Sequence, residues 1–147
     1  MAETLIDTNI LVYAYDRSEP EKQRRALNVL DDLARSQEGR LSAQVLSEFY
    51  VNVTRKINPP LIPAEAERRL EHYRHIWPVF PVTTDVVFEA IRGVREYQFS
   101  FWDAQIWAVA RLHYVPLVLS EDFNADAVIE GVRFVNPFAD YQPQKGP

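Results

Sequence analysis

The chain has 147 residues, of which 47% are hydrophobic and 25% charged, with a net charge of −5. That is the composition of a single globular domain, not of a disordered chain, and the absence of cysteine excludes disulfides, thiolate metal sites and a cysteine nucleophile. The acidic balance argues against a broad basic face for nucleic acid, but not against an enzyme that cuts nucleic acid at a carboxylate-rich site. One domain is expected over residues 1–140, with a flexible Pro-rich tail at 141–147. The start, Met1-Ala2-Glu3-Thr4, lacks a basic region followed by a long apolar run, and no apolar run nears the roughly 20 residues that span a bilayer. A cytosolic protein with no membrane segment is therefore expected.

Thr4 to Ile6 reads as a short buried strand ending at Asp7, and Ile10 to Tyr15 opens a short helix or turn. Ser18-Glu19-Pro20-Glu21 predicts a helix start, with Ser18 capping and Glu21 returning the capping-box bond. Leu27, Leu30, Leu33 and Ala34 follow at helical spacing, and the helix should stop near Gly39. Leu41 lies in a short extended segment. Ser42 then caps a second helix carrying Val45, Leu46, Glu48, Phe49 and Val53, closed by Asn58-Pro59-Pro60. Pro63 opens a third helix to about Ile76, and Val79 to Val82 is a strand. Thr84 caps a helix through Val87, Ala90, Ile91 and Val94. Ser100 caps the next, whose residues through Leu112 are apolar almost all round, the pattern of a central helix with Trp102 and Trp107 in the core. Pro116 to Leu119 is a strand, Asp126 to Glu130 a short helix or turn, and Arg133 to Val135 a last strand.

Short apolar strands alternating with helices imply an α/β fold with parallel pairing. In such sheets ligands bind beyond the carboxyl ends of the strands, where four acids stand at the ends of apolar segments: Asp7, Glu48, Asp103 and Asp122. A carboxylate drawn towards a core needs a partner. No Lys or Arg in these segments offers four, whereas Mg²⁺ or Mn²⁺, hard ions that prefer carboxylate oxygen and water, would. Two such ions roughly 4 Å apart activate a water and stabilise the leaving oxygen of a phosphodiester.

Each acid also has a plainer account. Asp7 is placed to cap the turn after it, and Glu48 lies on a polar stripe with Gln44 and Asn52 that solvent alone could explain. Asp103 completes a capping box with Ser100, though a buried helix should leave it half-buried, and Glu121 competes with Asp122. His72 and His75 sit on a charged helix face and His113 has no ligand spacing with the acids. The basic pairs Arg24-Arg25, Arg55-Lys56 and Arg68-Arg69, and Arg92 with Arg95, are available for nucleic-acid backbone contacts, though any single pair reads first as a solvated face. Tyr13 and Tyr15 read as packing.

The segments Asp7-Thr8-Asn9-Ile10-Leu11, Ser47-Glu48, Ser100-Phe101-Trp102-Asp103-Ala104, Ser120-Glu121-Asp122-Phe123 and Val132-Arg133-Phe134-Val135-Asn136-Pro137 resemble, in order and spacing, a PIN domain, and more narrowly the VapC-type toxins of toxin–antitoxin pairs. The resemblance spans nearly the whole chain. It implies a three-layer α/β/α sandwich with a central parallel sheet and a Mg²⁺- or Mn²⁺-dependent endoribonuclease. By position it implies that Asp7, Glu48, Asp103 and Asp122 are the acidic quartet. Within the quartet, Asp7 and Asp103 are expected on the principal metal. Glu48 and Asp122 would take a second ion or the attacking water. Thr8 or Asn9, and Ser120, would orient the acids or their waters. It also implies an RNA substrate, a homodimer, and a cognate antitoxin whose C-terminal segment covers the site. Two other accounts fit the residues less well. A phosphatase with Asp7 as nucleophile usually wants an acid two residues on, where this chain has Asn9, and a lysine near the phosphate. A non-catalytic module would instead use the acidic pocket to bind a partner's Arg or Lys.

Overall fold

The computed structural model describes residues 2–124 and 126–139; the tail at 141–147 lies outside the described residues. In chain order the elements are β1 (Thr4–Ile6), α1 (Thr8–Tyr13), α2 (Pro20–Ser36), β2 (Gly39–Ser42), α3 (Ala43–Arg55), α4 (Pro63–Ile76), β3 (Val79–Phe80), α5 (Thr84–Tyr97), α6 (Phe101–Leu112), β4 (Leu117–Leu119), β5 (Val128–Ile129) and β6 (Val132–Val135). Among the described residues no helix is long and apolar enough to cross a membrane.

The six strands form one sheet in the order β3-β2-β1-β4-β6-β5. All pairs are parallel except β5 with β6. The architecture is the α/β sandwich expected, with a mostly parallel central sheet. β1 is buried at every position, as a strand covered on both faces must be. From β1 the chain builds outward through β2 and β3 on one side, and β4, β6 and β5 lie on the other. The order thus reverses between β1 and β4, and such a switch point opens a crevice beyond the strand ends.

Local chemistry sets most boundaries. Ser42 caps α3 by accepting from Val45 N–H at 3.3 Å, and Ser100 caps α6 by accepting from Asp103 N–H at 3.2 Å. Pro20 and Pro63 stand in the first turns of α2 and α4. From Ala104 to Ala110, α6 is buried throughout, as its apolar sequence requires.

Five expectations are corrected. Ser18 does not cap α2: its N–H and hydroxyl both donate to Asp16 Oδ1, and Glu19 holds the cap position without a side-chain bond. Thr83, not Thr84, caps α5, accepting from Val86 N–H at 3.2 Å. The segment Asp126 to Glu130, expected as a short helix or turn, holds the strand β5 between turn residues and no helix. Glu130 (φ 50°) and Gly131 (φ 84°) form a two-residue turn that pairs Ile129 with Val132, and positive φ at both centres suits the twist of a hairpin. Trp102 is 61% exposed, because it sits on the first turn of α6 before the helix enters the core; Trp107 is fully buried. The third strand also closes at Phe80, short of Val82.

Gly39 begins β2 directly against the indole of buried Trp77, whose Nε1 donates to Leu33 O at 3.3 Å. A Cβ at residue 39 would come within 2.6 Å of Trp77 Cδ1. Gly39→Ala should therefore destabilise the fold by about 1–3 kcal/mol, read as a lower urea midpoint with an unchanged slope.

Candidate metal centre at the switch point

The carboxyl ends of β1 and β4 carry the first part of the site. Asp7 follows β1 and is 5% exposed. It caps α1, its Oδ1 accepting from Thr8 N–H at 2.7 Å. Its Oδ2 accepts from the Ser120 hydroxyl at 2.7 Å. Ser120 follows β4, whose last carbonyl (Leu119 O) accepts from Asp7 N–H at 3.0 Å. The two strand ends are thus stitched together through both backbone and side chain.

Asp103 arrives from the first turn of α6, and Asp122 from the loop after β4. One oxygen from each of Asp7, Asp103 and Asp122 lies within 4.8 Å of the others. Asp103 is half-buried, as expected, and Asp122 is exposed. Asn9 Nδ2 donates to Asp122 Oδ2 at 3.0 Å and to Ser120 Oγ at 3.4 Å. Thr8, Asn9 and Ser120, singled out from the sequence, each contact an acid.

Glu48 stands beside this group, not within it. It lines the same cleft, of about 360 Å³. Its Oε1 accepts from Gln44 Nε2 at 2.8 Å and from Thr8 Oγ1 at 3.4 Å. The geometry therefore groups Asp122, in preference to Glu48, with Asp7 and Asp103. Glu121 is drawn elsewhere. Its Oε1 accepts from Tyr13 OH at 2.7 Å and its Oε2 pairs with Lys22 Nζ at 3.0 Å. The competition between neighbouring acids is resolved by that Tyr–Lys clamp, which no local sequence signal announces. Nothing in the sequence marked out Asp16, which lines the cleft and accepts from Ser18; Lys56, from the basic pair Arg55-Lys56, lines it too. The Lys56 backbone N–H caps α3 on Asn52 O, but its ammonium forms no ion pair or hydrogen bond among the described residues, so the mouth of an acidic cleft carries an uncommitted cation.

Burial raises the Asp7 carboxyl from an ordinary 3.8 to about 7. The Ser120 and Thr8 hydrogen bonds pull the other way, and the charges of Asp122 and Asp103 push it further up. Asp103 is raised too, by burial first and then by Asp122, against a Ser100 hydrogen bond. Crowded like charges and desolvation are the reason. The donor set, carboxylate oxygens with room for water, fits a hard divalent cation.

The PIN domain family matches residues 4–130. This chain belongs to the PIN domain family. Solved structures with the same fold include a toxin–antitoxin complex from Klebsiella pneumoniae (22% identity, TM-score 0.67, covering 91% of this chain and 97% of that one). FitAB bound to the IR36 DNA fragment is similar at 20% identity and TM-score 0.68, covering 92% and 95%. VapC20 of Mycobacterium tuberculosis, a toxin that cleaves the sarcin–ricin loop, is similar at 20% identity and TM-score 0.60, covering 86% and 97%. No curated protein sequence matches the chain.

The Asp7 shift has a sign. Between 3.8 and about 7 the folded chain holds a proton that the unfolded chain has released, so stability falls as pH rises through that window. Above it the full penalty of an ionised, buried Asp7 persists. In EDTA at pH 8, Asp7→Asn should be more stable than wild type by about 1–3 kcal/mol, with the difference closing towards pH 4. Urea titrations at the two pH values measure it, and equal midpoints at pH 8 would refute the assignment.

Proposed function

We propose that this PIN domain is a Mg²⁺- or Mn²⁺-dependent endoribonuclease, the toxin of a toxin–antitoxin pair. One observation carries the proposal: three carboxylates from three separate segments meet within 4.8 Å, one of them pushed to about 7 by burial and by its acidic neighbours. Family membership and the likeness in fold to toxin structures support the same reading.

In this reading Asp7, Asp103 and Asp122 hold the ion. A bound divalent cation supplies Lewis acidity, activating water and stabilising the leaving oxygen of a phosphodiester. The chain supplies orientation. Thr8 N–H and the Ser120 hydroxyl fix both oxygens of Asp7, and Asn9 fixes Asp122. Glu48 has one oxygen engaged by Gln44 and Thr8; its Oε2, bonded to nothing among the described residues, would be the atom to hold the attacking water or a second ion. The substrate is single-stranded or loop RNA, whose splayed backbone reaches a recessed site, with Lys56 at the mouth to meet a phosphate. The partners are an antitoxin that covers the cleft and a second copy of the chain.

Asp103→Ala should fold yet lose metal-dependent cleavage of a structured-RNA panel by more than about 100-fold; full retained activity would sink the proposal. Wild type at 100 times its Kd for Mn²⁺ should gain about 2.7 kcal/mol of stability, a gain missing from Asp103→Ala. Thermal unfolding with and without Mn²⁺ measures that gain.

A further inference from the structure

Gln44 is a buried amide on the first turn of α3, one turn before Glu48. Its Nε2 donates to Glu48 Oε1 at 2.8 Å and to the backbone oxygen of Trp102 at 3.1 Å. Its Oε1 accepts from Gln105 Nε2 of α6 at 2.7 Å. The Trp102 carbonyl can only accept, so it fixes which end of the Gln44 amide faces Glu48. Gln105, itself 5% exposed, occupies the other end. An amide held on three sides in a buried interface cannot turn without leaving polar groups unpaired.

Two features make this more than helix packing. The Trp102 carbonyl belongs to the residue before Asp103, so one amide ties the acid of α3 to the acid of α6. And Gln44, with Thr8, engages only Oε1 of Glu48, which leaves Oε2 as the atom without a partner among the described residues.

We propose that Gln44 is a positioning residue that holds Glu48 with its Oε2 free for the metal site, and that Gln105 keeps Gln44 the right way round. The inference rests on the metal-nuclease reading above. Outer partners of this kind tune metal sites by 10- to 100-fold, and a residue acting through another shows it by non-additivity.

The test is calorimetric titration of the full chain with Mn²⁺ alone, on wild type, Gln44→Ala, Glu48→Ala and the double variant, with unfolding in EDTA as the folding control. Gln44→Ala should weaken Mn²⁺ binding about 10-fold. In the Glu48→Ala background the same change should add less than about twofold. Additive losses, or a Gln44→Ala affinity equal to wild type, would reduce Gln44 to a packing residue while leaving the nuclease reading intact. A wild type that takes up no Mn²⁺ would overturn both. Should Gln44→Ala not fold, Gln105→Met serves in the same cycle. Methionine is of similar size but cannot donate to Gln44 Oε1, so the amide loses the bond that Gln105 supplies, and Mn²⁺ binding should fall about 10-fold although residue 105 touches no acid. Unchanged binding in Gln105→Met overturns the proposal.

Discussion

A buried carboxylate with no basic partner governs this structure. Asp7 lies at the end of β1, almost out of solvent, and holds its place through one backbone N–H and one serine hydroxyl. Those two bonds partly offset its desolvation, and Asp103 and Asp122 add repulsion that they do not cancel. A fold that keeps such a group does so against its own stability, which is the usual mark of a site in place of a scaffold. A divalent cation would turn the same repulsion into attraction.

The sheet order explains how the acids meet. Strands β1 and β4 are neighbours in space but far apart in sequence, and each ends at the crevice where the order reverses. Asp7 and the Ser120–Asp122 loop arrive there directly. The helix after β2 brings Glu48, and the capped start of α6 brings Asp103. The Ser100 cap fixes where α6 begins, and so where its first-turn acid stands. Helix caps thus act at a distance from their own small contribution to stability, by setting the phase of the side chains that follow.

Away from the cleft, charge is arranged conservatively. Arg92 bonds Glu89, Glu96 and Glu130, and Arg111 bonds Glu89 and Glu130, joining α5, α6 and the β5–β6 turn. These arginines hold Glu130 down to about 2. The contrast is informative: Glu89, Glu96 and Glu130 find arginines, while the cluster acids find only hydroxyls, amides and one another. Exposed pairs of this kind contribute little individually, so their role is to fix the hairpin against the helices.

Much of this was legible in the sequence. The strand of Thr4–Ile6, the proline-opened helices, the serine caps at Ser42 and Ser100 and the all-round apolar α6 are local events, decided within a few residues by periodicity, capping and the absence of a proline N–H. The acids could be named because each sits beside residues bound for the core. The motifs that hold those acids resemble the family in their order and spacing. What the tertiary structure alone decided depends on partners remote in sequence. Asp122 joins the cluster and Glu121 leaves it because Tyr13 and Lys22, 108 and 99 positions away, claim Glu121. Gln44 meets Gln105 across 61 positions, and Ser120 meets Asp7 across 113. Ser18 lost its capping role to a neighbouring Asp16, and Trp102 escaped the core by standing one turn too early. Local free energies choose the elements; only their packing chooses which side chains face one another, because a hydrogen bond or a like-charge contact acts over a few ångströms of space, whatever the distance along the chain.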